Sequence, residues 1–210
     1  MLTYEQLAGR YGIGITGGIA TGKSTVSSIL SAAGHKVYDA DSFARLAVAP
    51  NSETVAKIVA LFGDAVVDTD GCLQREQLRA AIFADPDKRK ALDSIMHPRI
   101  LQLLQEQLRH DVLYRQPELW FYDAALLIET GSHKNFRSVW LTHCQPATQV
   151  KRLLARNFTK QEAMQAIQAQ LPDTEKRKHA DFLINTDEPL PSLKNRVEAL
   201  LSRCARDLLV

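Results

Sequence analysis

Gly17-Gly18-Ile19-Ala20-Thr21-Gly22-Lys23-Ser24-Thr25 decides how the rest of the chain is read, because it fits the phosphate-binding pattern GxxxxGK[ST]. An apolar run, Tyr11-Gly12-Ile13-Gly14-Ile15, precedes it, and Val26, Ile29, Leu30 and Ala33 follow at helical spacing. Strand, loop, helix is the order such a loop requires. Gly17, Gly18 and Gly22 carry no Cβ, so successive N–H groups can turn inward on phosphate oxygens, and the helix starting near Lys23 adds the positive end of its dipole. In this reading Gly18, Ile19, Ala20, Thr21 and Gly22 cradle a nucleotide, Lys23 reaches its β- and γ-phosphates, and the Ser24 hydroxyl ligates a bridging Mg²⁺. Thr25 assists at the α-phosphate.

Bulk properties narrow the rest. A chain of 210 residues with 45% hydrophobic content fits one α/β core carrying an insertion. The net charge of +2, with Lys and Arg scattered along the chain, gives no footprint for nucleic acid. Cys72, Cys144 and Cys204 are odd in number and lack CxxC spacing, so reduced thiols are expected, without disulfides or zinc. Neither an apolar leader in Met1 to Arg10 nor an apolar stretch of membrane-spanning length occurs, and the expectation is a soluble, cytoplasmic protein with no membrane partner. No internal repeat or low-complexity tract is found.

Thr3 with Gln6 forms a capping box for a short helix, Tyr4 to Ala8. The helix Lys23 to Ala33 ends at Gly34, and His35 to Asp41 leads into a second strand ending in two carboxylates, where Asp39 and Asp41, two apart, share a face. That carboxyl edge is where ligands sit in open parallel sheets. From Ser42 to about Gln116 the pattern is helical: Glu53 to Phe62, Arg75 to Phe83, Pro86 to Ile95 and Pro98 to Tyr114, the last two separated at His97-Pro98. The block is either a substrate platform or a set of helices that complete the fold.

Strand character returns at Leu119 to Asp123, then at Ser138 to Leu141 and Phe182 to Ile184, with helical sequence between. Such alternation predicts a three-layer α/β fold with a five-stranded parallel sheet. Asp123, ending the third strand, either lies near the metal and supports Ser24 or caps the next turn. Pro146 to Ala155 and a second helix opened by the capping box Thr159 with Glu162 suggest a lid, with Arg152 and Arg156 four apart on one flank. Those arginines either meet the phosphates or form a solvated face. The closing helix, Ser192 to Leu209, carries the apolar stripe Leu193, Val197, Leu200, Leu201, Cys204 and Leu208.

Beyond the loop, the chain resembles the dephospho-coenzyme A kinase family. The resemblance runs from Ile15-Thr16-Gly17-Gly18-Ile19 and Gly22-Lys23-Ser24-Thr25 to Asp39-Ala40-Asp41, and continues through Asp70-Gly71, Leu73, Arg75, Leu92, Ile95, His97 and Pro98. Leu126-Leu127-Ile128-Glu129 and Ala180-Asp181-Phe182-Leu183-Ile184-Asn185 extend it nearly to the end. It implies a P-loop kinase of one domain: a core of residues 11–48, 117–145 and 180–210, a helical insertion at about 49–116 on the coenzyme A side, and a lid at about 146–179. The implied reaction moves the ATP γ-phosphoryl to the ribose 3′-hydroxyl of dephospho-coenzyme A, with ATP and Mg²⁺ bound.

By the same resemblance Asp41 takes or orients the hydroxyl proton, Lys23 and Arg156 act on the transferring phosphate, and Arg152 and Asn185 lie on the nucleotide. Thr16, Asp39, His97 and Leu126 fall on the acceptor side, while Ser24 and Asp123 serve the metal. For Asp39 a structural or metal-linked role stands beside that one. His97 is either a contact or a neutral residue at a helix break. A monomer or weak homo-oligomer is expected.

The chain departs from the family pattern at Ala125, where a proline is usual before the leucine pair, at Thr21, where a smaller residue is usual, and in about ten residues ahead of the first strand. None of these removes a functional group. Other readings share the loop. A nucleoside monophosphate or shikimate kinase would differ only in acceptor residues. A regulatory nucleotide switch would match the DxxG of Asp68-Thr69-Asp70-Gly71 but finds no NKxD motif.

Overall fold

In the computed structural model, which describes residues 2–208, the apolar run before the phosphate loop becomes β1 (Gly12–Gly17), buried at every position. The other strands are β2 (Lys36–Asp39), β3 (Trp120–Asp123), β4 (Ser138–His143) and β5 (Phe182–Asn185), in one parallel sheet of order β2-β3-β1-β4-β5. Register aligns Ile15 with Asp123, Gly17 with Thr142 and His143 with Asn185. Those pairings bring the ends of β3, β4 and β5 level with the start of the phosphate loop, at the carboxyl edge where α/β sheets bind ligands.

The chain divides into two compact units, residues up to Tyr38 with Leu113 onward, and Asp39–Val112. In the first, α1 (Tyr4–Tyr11) precedes β1 and α2 (Lys23–Ala32) follows the loop. The second is helical: α3 (Ala40–Ala47), α4 (Glu53–Phe62), α5 (Arg75–Ala84) and α6 (Pro86–His110). Back in the first unit come α7 (Pro146–Leu154), α8 (Lys160–Gln168), the single turn α9 (Asp173–Lys176), a 3₁₀ turn Arg177–His179, and α10 (Leu190–Arg206).

The core of the first unit forms because strand and helix apolar positions meet on one face of the sheet. Ile13, Ile15, Phe121, Trp140 and Ile184 pack with Val26 and Leu30 of α2 and with Leu193, Val197, Leu201 and Cys204 of α10. Phe121 and Trp140 are fully buried and meet edge-to-face at 5.4 Å between centroids. Each such side chain contributes about 2–3 kcal/mol by leaving water. The stripe expected in the closing helix is this buried face, except for Leu200 and Leu208, which are partly buried; Leu209 lies outside the described residues. Helix ends follow their caps: His35 N–H donates to Leu30 O and Gly34 N–H to Ser31 O, the paired bonds of a Schellman end. Thr3 and Thr159 each close the expected capping box.

Several local expectations change. The second strand stops at Asp39, whose Oδ1 accepts from Asp41 N–H at 3.0 Å, so Asp39 is the N-cap of α3 and Asp41 sits in its first turn. The two carboxylates therefore do not share a strand face. Asp is among the best N-cap residues, and capping ends the strand two residues early. The helices expected on either side of His97-Pro98 are one continuous α6 with Pro98 inside it. The lost backbone bond is offset by packing, since α3, α4 and α5 all lie against α6. The Asp68–Gly71 stretch is a tight turn: Asp68 Oδ1 accepts from Asp70 and Cys72 N–H, and Val67 bridges to Leu73. The residues ahead of the first strand form a docked helix, with Leu7 and Ala8 fully buried and Arg137 bonding Ala8 O and Arg10 O.

Candidate active site

The loop takes its shape from three glycines for different reasons. Gly22 has φ +88°, in the left-handed region open to glycine, and it starts α2 as its N-cap. A Cβ at Gly17 would overlap the hydroxyls of Thr142 and Thr21, which bond each other at 2.9 Å. Gly18 is less confined, its nearest neighbours being the side-chain ends of Gln149 and Gln170. Ala20 takes φ +60°, and its small side chain packs beside Leu153 and Ala163.

Lys23, the first residue of α2, pairs with Asp123 Oδ1 at the end of β3, and Asp123 Oδ2 accepts from Ser27 Oγ at 2.6 Å. Asp123 is 6% exposed, so both carboxylate oxygens are used where water hardly reaches. The residue next to the loop lysine, Ser24, is exposed at the helix start, and Asp123 bonds Ser27 in its place. Ser27 lies four residues after Lys23, hence on the same helix face, and that spacing is the signal by which it is legible.

A cavity of about 720 Å³ opens beside the loop, lined by Gly18, Thr21, Gln149, Gln170, Lys176 and Asn185 among others. Asn185 Oδ1 accepts from Asp187 N–H at 3.0 Å. Asp187 is held below the ordinary carboxylate value by the Thr148 hydroxyl and then by Gln145 N–H, which donates at 2.7 Å. His143 is held below its ordinary value by burial, reinforced by the positive charge of Arg177, and burial pushes the Cys144 thiol up. A raised thiol pKa makes Cys144 a poor nucleophile.

Arg152 is fixed by three acceptors: Nη1 donates to Ala20 O at 3.1 Å and Thr186 Oγ1 at 3.0 Å, and Nη2 to Thr186 O at 2.7 Å. Its planar fork thus ties α7, the loop and the end of β5 together. Arg156, just past α7, is exposed. Ile19 is gripped at both backbone groups, its N–H donating to Gln170 Oε1 at 2.6 Å and its carbonyl accepting from Gln149 Nε2 at 2.7 Å.

Thr16 is fully buried; its hydroxyl donates to Ala125 O at 3.2 Å and its carbonyl accepts from Thr142 Oγ1. Leu126 is 45% exposed on the turn after β3. In the helical unit, Asp41 lines a cavity of about 370 Å³ with Arg45, Arg75, Ile58, Leu73 and Met96. His97 is exposed on α6 and is not among the lining residues. Asp39, besides capping α3, accepts from Ser42 Oγ at 2.6 Å. Thr142, Thr186, Gln149, Gln170 and Lys176 had no motif to mark them; the two threonines are legible only once the strand ends are known.

The magnesium expected from the motif suits the donors present. Ser24 and Asp123 offer hard oxygens, and a Mg²⁺ held by one or two protein oxygens, phosphates and water needs no larger carboxylate cluster. Among the described residues no group of three or more His, Cys, Asp or Glu is placed to hold a metal, and no helix is long and apolar enough to cross a membrane.

Comparison with known proteins agrees with this geometry. A dephospho-CoA kinase of Listeria monocytogenes is 39% identical over 93% of this chain and 98% of its own length, and one of Geobacter sulfurreducens is 39% identical over 91% and 97%. A crystal structure from Thermus thermophilus superposes with a TM-score of 0.80 at 32% identity, covering 92% of this chain and 97% of that one. The family model described as dephospho-CoA kinase matches residues 11–192. With loop, sheet order and nearly full-length similarity in agreement, the chain belongs to the dephospho-CoA kinase family.

Proposed function

We propose that this chain transfers the γ-phosphoryl group of Mg·ATP to the ribose 3′-hydroxyl of dephospho-coenzyme A, giving coenzyme A and ADP. The observation that carries the reading is Lys23 at the start of α2, held by the buried β3 carboxylate at the end of a phosphate loop, in a chain that matches the family over residues 11–192. Gly18 to Thr25 bind the phosphates through backbone N–H groups, and Lys23 moves from Asp123 to the β- and γ-phosphates as they arrive. Ser24 and Asp123 are the residues that would hold Mg²⁺, which would supply charge neutralisation to the phosphates.

The acceptor is bound by the helical unit, where Arg45 and Arg75 offer positive charge and Ile58, Leu73 and Met96 an apolar wall around Asp41. Leu126 contacts the acceptor from the turn after β3. The 3′-oxygen attacks the γ-phosphorus, the bond to the β–γ bridging oxygen breaks, and the hydroxyl proton passes to the Asp41 carboxylate. Arg156 meets the charge on the transferring group, and Arg152 and Asn185 shape the nucleotide side. Segment 146–179 serves as the lid that excludes water.

The test supplies Mg·ATP with dephospho-coenzyme A, AMP or shikimate in turn and follows ADP and the new phosphate ester by phosphorus NMR. ADP release specific to the first acceptor is expected. Equal turnover of AMP or shikimate, or none with dephospho-coenzyme A, would refute the reading.

A further inference from the structure

Lys176 is 1% exposed, an unusual place for a lysine, and it sits in the short turn α9 between α8 and β5. Its Nζ makes an ion pair with Glu129 Oε1 at 2.7 Å and donates to Ala125 O at 3.2 Å. The same carbonyl accepts from Thr16 Oγ1 at the top of β1. Ala125 is the second residue of a four-residue turn closed by Leu127 N–H on Ala124 O, and Glu129 stands just beyond it. Four residues beyond Glu129 and three beyond Lys176, His133 and His179 meet ring to ring at 4.8 Å, so the two segments touch at a second point.

The second position of such a turn is where proline best serves, since its fixed φ sets the bend. With alanine there the backbone is freer, and the bend depends on what grips it from outside. The gripping groups are Thr16 and Lys176.

We propose that Lys176 is a positioning residue: from the segment joining α8 to β5 it fixes the Ala124–Leu127 turn, and through Leu126 it fixes the acceptor side of the reaction. The second half rests on the kinase reading above, in which Leu126 contacts dephospho-coenzyme A. Lys176 also borders the nucleotide-side cavity, while its Nζ is directed to the turn.

The experiment compares wild type, Lys176→Met and Lys176→Met with Ala125→Pro. Methionine fills the buried space without charge. Proline costs no hydrogen bond, because no bond of the described residues uses the Ala125 N–H, and the extended residue it needs before it is Ala124, whose N–H continues the ladder to Ile15 O. Hydrogen exchange at Leu127 and Thr130 N–H reads the turn directly, and kinetics with each substrate varied reads its consequence.

In Lys176→Met, exchange at both amides speeds up and kcat/KM for dephospho-coenzyme A falls about 10²-fold, with the KM for ATP unchanged. Ala125→Pro in that background slows exchange and restores the acceptor kinetics. Unchanged exchange overturns the brace. Faster exchange with acceptor kinetics intact, or a loss confined to the KM for ATP, overturns its catalytic consequence. Absence of any turnover of dephospho-coenzyme A by wild type refutes the kinase reading instead, and exchange still decides the brace. If Lys176→Met does not fold, Glu129→Gln takes its place: it removes the charge and keeps an oxygen for Lys176, so exchange rises less, and no rise at all overturns the proposal.

Discussion

Lys23 and Asp123 are bound to each other: the ammonium that opens α2 rests on the carboxylate that ends β3, with Ser27 on the second oxygen. In the proposed reaction Asp123 would have two tasks, holding Lys23 until phosphate arrives and then supporting the bound metal. Asp123→Asn keeps the shape and removes the charge. Turnover at fixed ATP is expected to fall about 10- to 100-fold, with a higher Mg²⁺ requirement, as outer-sphere partners of metals do. Rates measured across a Mg²⁺ titration check this, and a variant with an unaltered Mg²⁺ profile would exclude the metal role.

Asp41 is exposed, in the first turn of α3, on the wall of the cavity that also carries Arg45 and Arg75. In its proposed role as proton acceptor, its loss would remove a contribution of about 10²- to 10⁴-fold. Asp41→Asn is therefore expected to lower kcat by that factor and leave ATP affinity in place, measured by calorimetric titration with a non-hydrolysable ATP analogue. Near-normal kcat would assign the proton elsewhere.

Arg152 and Arg156 separate into a clamp and an exposed cation. Arg152→Lys keeps the charge but cannot reach Ala20 O, Thr186 Oγ1 and Thr186 O together. Loss of about 1–3 kcal/mol of stability is expected, with weaker ATP binding. Arg156→Ala leaves the melting temperature alone and cuts kcat by about 10³-fold or more if the guanidinium meets the transferring phosphoryl. Melting curves and kcat for both variants decide it, and a catalytic loss in neither would leave both arginines outside the chemistry.

His133 and His143 both sit below the ordinary value of 6.5, in each case chiefly through burial, with the charge of His179 adding to the first and of Arg177 to the second. The unfolded chain takes up protons at these residues near pH 6.5, and the folded chain only at lower pH. Folding stability is therefore lost as pH falls below about 6.5, down to the folded pKa values. Denaturant midpoints above and below that pH should drop on acidification, and His133→Gln with His143→Gln should flatten the drop. An equal drop in the double variant would place the titration elsewhere.

Much of this arrangement was legible in residue order. The loop, the flanking strand and helix, the later strands and both capping boxes depend on short-range pattern, and the bounds at Glu53–Phe62 agree to the residue. Asp39 and Asp41 were harder, because strand alternation and N-capping compete over the same three residues and only packing decides where β2 ends. Pro98 was misleading for a related reason: a local rule against proline is outweighed by three helices lying along α6. Lys176 gave no signal. A lysine in a charged stretch reads as solvated, and its burial is set by Glu129 and Ala125, both distant in sequence.

The grip of Gln170 and Gln149 on Ile19 bears on how nucleotide enters. A vacant loop with inward N–H groups would have to be ordered by its ligand, and that ordering would weaken binding. Here a side-chain amide oxygen already stands at the Ile19 donor, so in the proposed binding mode arrival of phosphate would be a change of acceptor with the backbone already in shape. Small anions face the same resident competitor. An anion that reaches only the Ile19 donor gains little over Gln170, whereas a triphosphate that meets several loop donors at once would gain elsewhere what it must displace there.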